Sequence, residues 1–325
     1  MRRTALGIFA ALFFACMAAP AHAQSYPSKT VTIVVPSAPG GPSDILGRLL
    51  AERLRERFGQ SFIIENRGGA GGNLGTAAVA RAVPDGHTLL LTVDAPIVVN
   101  PALYDKMPYD SAKDLQGVAM IGDGGDVVLA VAAGSPAKTL AELIESIRKD
   151  PANANYVSSG NGFPSHIVGE VFKREAKFDA VHIPAKGAGA ALQEFLSGRM
   201  SFSFPPASLA APMAKSGKIR LLAVPAAKRN ALLPDVPTFA ELGLPRVTTA
   251  HYWITVFAPA GTPKPFVESL NVEIRRIAKT PEYRSLLERQ GLAPSDLGPD
   301  EINDRVKKDL AYWQATVKPL GIRAD

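Results

Sequence analysis

The spacing of hydrophobic residues changes repeatedly between two periods along the chain. Residues 32–35 form a β-branched run typical of a strand, whereas the apolar positions from Ile45 to Leu54 recur at helical spacing. The segments "SFIIEN" and "HTLLLTV" again have strand character, and "TAAVARAV" between them has helical character. Because strands that alternate with helices are typical of parallel sheets with crossover connections, this pattern predicts an α/β fold.

A second alternating set follows two apolar runs that the glycine-rich residues 122–125 separate. It predicts strands in "NYVSSGNG", "FDAVHIPAKGAG" and "IRLLAVPA", with helices between them. The chain then returns to a strand in "HYWITVFAPAGTPKP" and ends in two amphipathic helices. We therefore expect two α/β domains with a ligand cleft between them, the first formed by residues 24–124 and 248–325 and the second by residues 125–247.

The first 23 residues have the pattern of a secretory signal peptide. Arg2 and Arg3 precede an apolar run, and Ala21-His22-Ala23 is a small-x-small cleavage site. We expect cleavage after Ala23 and a periplasmic mature protein. The single cysteine, Cys16, lies within this segment, so the mature chain has no thiol or disulfide chemistry.

Charge and motif spacing exclude several classes of protein. The formal net charge of +6 is spread along the chain without a block of like charges, which argues against a nucleic-acid partner. The histidines have no metal-ligand spacing, and the glycine loop at 68–75 departs from the dinucleotide-binding spacing. No G-x-S-x-G nucleophile motif occurs. We expect no metal, no cofactor and no catalytic residue.

Three glycine-containing turns follow predicted strands and precede predicted helices. Ligands of open α/β sheets bind outside the carboxyl ends of strands, and helix N-termini attract anions. We therefore predict that these turns face each other across the cleft and bind a small anion. The predicted ligand-binding residues are Ser37, Ala38, Pro39, Gly40, Gly41 and Asp44 in the first turn, Ser158, Gly160, Asn161, Gly162, Ser165 and His166 in the second, Lys186, Gly187 and Ala188 in the third, and Asp94 at the end of another strand.

Several of these side chains have a second interpretation. Asp44, with Ser43, stands where a helix cap is expected, and a capping role weighs equally with ligand binding. Ser165 and His166 are adjacent, as in a catalytic pair, but Ser165 as an N-cap with His166 in the first turn explains them better. Lys186 either pairs with a carboxylate or lies solvated at the rim of the cleft.

Six motifs follow one another along the chain: "YPSKTVTIVVPSAPGGPSDILGRLLAERL", "ENRGGAGGNLGTAAVARAVPDGHTLLLT", "NPALYDKMPYD", "YVSSGNGFPSHIVGEVFK", "LLPDVPTFAELGLP" and "FAPAGTPKPFVESLN". Their order resembles the substrate-binding proteins of tripartite tricarboxylate transporters, the Bug family, and the resemblance covers essentially the whole mature chain.

The resemblance implies a type II periplasmic binding protein, a two-domain flytrap that closes on its ligand. It further implies that a monomer delivers a di- or tricarboxylate, an acidic amino acid or an aromatic acid to membrane permease subunits. In the family, main-chain groups and waters of the turn matching residues 36–44 hold one carboxylate. The turns matching residues 158–166 and 186–188 add contacts from the second domain.

The chain departs from the family pattern at the expected pocket. Ser37 and Ala185 stand where aromatic residues are usual, and Ser201 stands where an acidic residue is common. These departures predict a roomier or wetter pocket, part of which Phe163 fills. Two alternatives stay open: a sensor that presents its closed form to a receptor kinase, and a hydrolase that pairs His166 with Ser165 or Asp44.

Overall fold

Two mixed β-sheets, each flanked by helices, are formed by the part of the chain that the computed structural model describes, residues 26–248 and 252–317. This confirms the α/β class. The predicted signal peptide at 1–23 lies outside the described residues.

The strands fall into two groups along the chain. Those of the first sheet are β1 (Val31–Val35), β2 (Phe62–Asn66), β3 (Thr88–Val93), β4 (Leu115–Gly125), β10 (Tyr252–Pro259) and β11 (Ala293–Pro294). Those of the second sheet are β5 (Leu129–Ala132), β6 (Asn155–Ser158), β7 (Val181–Pro184), β8 (Phe202–Ser203) and β9 (Ile219–Ala223). The two-residue strands β8 and β11 have no signal in the hydrophobic pattern.

Helices follow most strands, as the alternating pattern predicts. They are α1 (Pro42–Phe58), α2 (Asn73–Ala80), α3 (Asn100–Leu103), α4 (Leu140–Lys149), α5 (Pro164–Glu175), α6 (Ala188–Leu196), α7 (Ala207–Lys215), α8 (Lys264–Ala278), α9 (Pro281–Arg289) and α10 (Pro299–Val317). The prediction of two C-terminal helices is incomplete, because α9 lies between the two that the sequence indicates.

The order of strands places the carboxyl ends of parallel strands at the turns. The first sheet has the order β11-β4-β10-β3-β1-β2, in which β1 pairs in parallel with β2 and β3. The second has the order β7-β6-β8-β5-β9, in which β6 pairs in parallel with β7 and β8. The turns after β1, β6 and β7 therefore lie at the carboxyl edges of the two sheets.

The two predicted strands are present, β4 in the first sheet and β5 in the second, but the glycine-rich residues 122–125 do not lie between them. They lie inside β4, because β10 pairs with this segment in antiparallel orientation and accommodates it through irregular register. Gly125 lies opposite Tyr252, and any Cβ at Gly125 would overlap the tyrosine ring. A glycine is needed here to leave room for that ring.

Each sheet packs its own hydrophobic core. Buried residues of β1, β3, β4 and β10 pack with α1, α8 and α9 on one face of the first sheet. On its other face, Ile302, Val306 and Trp313 of α10 pack against it, so the C-terminal tail returns to the first sheet as expected. The second sheet packs with α4 and α5 around the buried Tyr156, Phe172 and Phe202.

Candidate ligand-binding site

A small cavity lies where the turns of the two sheets meet. It has about 40 Å³ of room for the centres of water-sized molecules, which corresponds to roughly three or four waters. Among the described residues, its walls are Ser37, Gly41, Pro42, Ser43, Val93 and Tyr252 from the first sheet and its turns, and Val127, Ser159, Phe163, Pro164, Ser165, Ala188 and Pro206 from the second.

Four helices bring their N-terminal residues to this cavity. Pro42 begins α1, Pro164 begins α5, Ala188 begins α6, and Pro206 is the N-cap of α7. The first N–H groups of a helix have no partner within the helix, and the helix dipole places partial positive charge there. The cavity is therefore suited to a small anion that main-chain groups and water hold.

The first and third turns touch directly across the boundary between the sheets. The Ala38 N–H donates a hydrogen bond of 2.5 Å to the Lys186 carbonyl. A Cβ atom at Gly189 would overlap the Pro39 carbonyl, and one at Gly187 would lie 2.9 Å from the Ser37 Cβ. This close approach explains why the cavity is small, although small residues at positions 37 and 185 led us to expect a roomier pocket.

In the first turn, the Asp44 carboxylate shapes the main chain. Helix α1 begins at Pro42 with Gly41 as its N-cap, two or three residues before the predicted caps, because proline is favoured in the first helical turn. The Asp44 carboxylate accepts hydrogen bonds from the Gly40 N–H (3.0 Å) and the Arg48 guanidinium (2.9 and 3.1 Å).

These bonds also set the charge of Asp44. Burial raises the pKa of its carboxyl, but the hydrogen bonds from Arg48 and Gly40 outweigh burial and hold the pKa below its ordinary value. Asp44 is therefore an anion that orients the turn, and a weak base.

In the second turn, two predicted site residues bond to the main chain of that turn. The Ser165 hydroxyl accepts from the Ser159 N–H at 2.9 Å, and His166 Nδ1 accepts from the Gly162 N–H at 3.1 Å. The sequence predicts Ser165 as the N-cap of helix α5, but the N-cap is Phe163. Ser165 lies in the first turn of the helix, together with His166. These contacts give Ser165 and His166 a role in fixing the turn.

The His166 ring belongs to a buried stack. It lies on the His182 ring at a centroid separation of 4.1 Å, and His182 Nε2 lies 2.6 Å from the Ser158 hydroxyl. Burial lowers the pKa of His166 to about 4 and that of His182 to about 3. The unfolded chain therefore takes up protons first as the pH falls below about 6.5, and stability is lost from that pH down to about 4 for His166 and about 3 for His182.

We expect His166→Leu to be less stable than His166→Asn by about 1 kcal/mol, because leucine leaves the Gly162 N–H without an acceptor. The asparagine side-chain oxygen takes the place of Nδ1 and keeps that bond. Urea unfolding of both variants at pH 7 measures the difference. Equal stabilities would show that the bond does not hold the turn.

The remaining predicted residues lie around the cavity or away from it. Asn161 meets the glycine loop of the first sheet, where a Cβ at Gly71 would lie 2.5 Å from the Asn161 carbonyl. Lys186 is exposed and uses its carbonyl in the contact between turns. Asp94 is buried but is not among the described cavity walls. Burial and the nearby charge of Asp309 raise the pKa of its carboxyl. Of the predicted set, Ser37, Gly41, Ser165 and Ala188 line the cavity.

Several wall residues were not predicted from the sequence. Val127 and Tyr252 lie beside the two crossings of the chain between the sheets, and Pro206 precedes α7. The crossings were recognised in the sequence, and segments that pass from one domain to the other border the cleft. The position of Val127 and Tyr252 beside these crossings is the sequence signal that could have identified them as wall residues.

Two further properties concern the described part of the chain. In residues 26–248 and 252–317, no three His, Cys, Asp or Glu side chains are grouped so as to hold a metal ion. No helix within the same residues combines the length and apolar character needed to cross a membrane.

Comparison with known proteins places this geometry in a family. Residues 46–322 match the model of the tripartite tricarboxylate transporter family receptor, TctC. The chain is 32% identical over 321 residues to protein BugT of Bordetella pertussis. The aligned region covers 98% of this chain and 97% of BugT.

Solved structures agree with this match. Rpa4515 of R. palustris, solved with adipate, has a TM-score of 0.85 and 34% identity over 92% of this chain and 99% of its own. MatC from Rhodopseudomonas palustris, solved with bound malate, has a TM-score of 0.84 and 32% identity over 90% of this chain and 100% of its own. The chain therefore belongs to the TctC family of periplasmic solute-binding proteins.

Proposed function

We propose that this protein captures a small organic carboxylate in the cavity between its two sheets and delivers it to a tripartite membrane permease. The observation that carries the proposal is the convergence of four helix N-termini on one cavity. Their partial positive charge favours an anion that main-chain donors and water can hold, so an arginine clamp is not required.

The relatives support the class of ligand. Rpa4515 was solved with adipate and MatC with malate, and both are carboxylates. Membership in the tripartite tricarboxylate transporter family receptors supports a permease as the partner.

The same proposal includes the path to the periplasm and the closing movement. Residues 1–23 direct export and are removed. Residues 24–124 with 248–325, and residues 125–247, then form two bodies that close over the ligand, with their turns meeting at Ala38 and Lys186. Closure needs only that the ligand binds the closed arrangement more tightly than the open one.

We expect a carboxylate to raise the thermal unfolding midpoint of the mature protein by several degrees. A ligand at about 100 times its dissociation constant stabilises the folded state by about 2.7 kcal/mol. The measurement is a thermal-shift panel of di- and tricarboxylates, hydroxy acids, acidic amino acids and aromatic acids, with neutral sugars as the control. The protein is first unfolded and refolded to remove ligand carried through purification.

A shift with acids and none with sugars supports capture of a carboxylate. A shift with sugars alone, or none with any acid, contradicts it. Delivery is tested separately: the mature protein loaded with the stabilising acid should restore uptake to membrane vesicles that contain a tripartite tricarboxylate permease from the same organism. Binding without restored uptake would overturn the transport half of the proposal.

A further inference from the structure

We propose that Ile167 sets the affinity for the bound acid from outside the cavity, as an apolar latch that holds the two bodies closed. This inference rests on the proposed capture of a carboxylate and on its closing movement, and it adds a positioning residue that the ligand does not touch. Because the latch acts on closure, its effect on affinity should be the same for every acid that the protein binds.

The first observation is that Ile167 packs away from the sheet to which its own helix belongs. Val168 and Phe172 of α5 are part of the hydrophobic core of the second sheet. Ile167 is instead part of the hydrophobic cluster on the first sheet, together with Leu103 of α3, and it is only 3% exposed. A side chain from the second body is thus buried among side chains of the first.

The second observation is that one helix joins this contact to the cavity. Pro164 and Ser165, at the start of α5, line the cavity, whereas Ile167 follows them in the same helix and is not among the described walls. A helix transmits movement as a rigid element over so short a distance. A ligand that draws the start of α5 toward the first sheet therefore also seats Ile167 in the cluster of that sheet.

The third observation is the close approach of the two main chains near Leu103. A Cβ atom at Gly162 of the second turn would overlap the Asn100 side-chain oxygen and lie 3.2 Å from Leu103 Cδ1. A Cβ atom at Gly71 would lie 2.5 Å from the Asn161 carbonyl. Because glycine leaves this space free on both sides, the second turn can meet the glycine loop of the first sheet. The loop thus has a structural use at the latch.

The fourth observation is an opposing cost at the same contact. The Asn100 amide nitrogen donates to the Gly71 carbonyl at 2.9 Å, but its Oδ1 is buried without a hydrogen-bond partner among the described residues. Separation of the turns would return this oxygen to water, where it regains hydrogen bonds. Burial of Ile167 favours the closed arrangement and burial of the Asn100 oxygen disfavours it, by amounts of similar size. The ligand therefore decides the balance.

The test compares two neighbouring residues of α5 that are both buried but pack against different sheets. Ile167→Ala removes the latch, whereas Val168→Ala truncates a side chain in the core of the second sheet itself. Ile167→Val is the conservative intermediate. Titration calorimetry at pH 7 measures the affinities of each protein for malate, adipate, citrate, glutamate and benzoate. Thermal unfolding measures the midpoint of each protein without ligand.

We expect Ile167→Ala to weaken every acid that binds the wild type by one common factor of about 10- to 50-fold, because the substitution removes carbons that are buried between the bodies only on closure. Ile167→Val removes a single carbon and should weaken the same acids about fourfold. The unliganded midpoint of Ile167→Ala should match that of the wild type, since its side chain is solvated when the bodies are apart. Val168→Ala should lower the midpoint by several degrees and leave the affinities unchanged.

Three results would each overturn the latch while leaving carboxylate capture intact. They are unchanged affinities of Ile167→Ala, a loss of affinity that differs between acids, and a fall in its unliganded midpoint as large as that of Val168→Ala. Failure of all five acids and of the broader thermal-shift panel to bind the wild type would instead overturn the proposed function, and the latch with it.

Discussion

Gly189→Ala is expected to weaken binding of the acid that best stabilises the wild type by about 5- to 150-fold. A Cβ atom at this position would overlap the Pro39 carbonyl and crowd the Gly40 main chain, which belong to the turn after β1 of the other sheet. Overpacking of this kind costs about 1–3 kcal/mol, which corresponds to that range of affinity. The overlap arises only where the turns meet, so under the proposed closing movement the cost falls on the closed arrangement.

Stability without ligand separates this effect from misfolding. Gly189 lies in the first turn of α6, where alanine favours the helix more than glycine does, so the unliganded midpoint should be unchanged or slightly higher. Gly134→Ala is the matched control, because a Cβ there meets no atom within 4 Å. It should leave both affinity and midpoint as in the wild type. Unaltered binding by Gly189→Ala would show that ligand capture does not require these turns to meet.

The location of the site could be predicted from the sequence because it depends on local signals. A strand, a glycine turn and a helix start define the carboxyl edge of a sheet wherever they occur, and three such turns were recognisable. The predicted helix starts lie two or three residues after the observed ones. Ser43 and Ser165 are typical capping residues and indicated a later start for each helix. A proline is favoured at the first helical position, and Pro42 and Pro164 mark the starts that the structure shows.

The walls of the cavity could not be predicted in the same way. Tyr252 and Val127 are separated by more than a hundred residues, and their meeting depends on how β10 inserts between β3 and β4. The space left by Gly125 has meaning only once Tyr252 lies opposite it. The size of the cavity likewise follows from the contact between Ala38 and Lys186, whereas the residue types at positions 37 and 185 indicated the opposite.

Asp94→Asn is expected to stabilise the unliganded protein relative to the wild type, by much more at pH 8 than at pH 5. The Asp94 carboxyl is 3% exposed, and its Oδ1 has no hydrogen-bond partner among the described residues. Burial and the nearby Asp309 raise its pKa to about 8. Asparagine imitates the protonated form and cannot ionise.

The direction of the stability change follows from the number of protons that Asp94 binds in the folded and in the unfolded state. Between about pH 4 and pH 8, the unfolded chain has lost the Asp94 proton while the folded chain keeps it, so the wild type loses stability as the pH rises. The loss is about 1.4 kcal/mol per pH unit, so the gap between variant and wild type should grow by about 3–4 kcal/mol between pH 5 and pH 8. Above pH 8 the gap should stay constant.

Urea unfolding of both proteins at pH 5, 6, 7 and 8 measures this gap. The opposing contributions of His166 and His182 are common to both proteins and cancel in the comparison. Asp105→Asn is the control, because the exposed Asp105 side chain is solvated in both states. Parallel profiles for Asp94→Asn and the wild type would mean that the folded protein holds Asp94 ionised. The carboxylate would then need a partner outside residues 26–248 and 252–317, and Asp94 would become a candidate anion beside the cavity instead of a neutral part of its support.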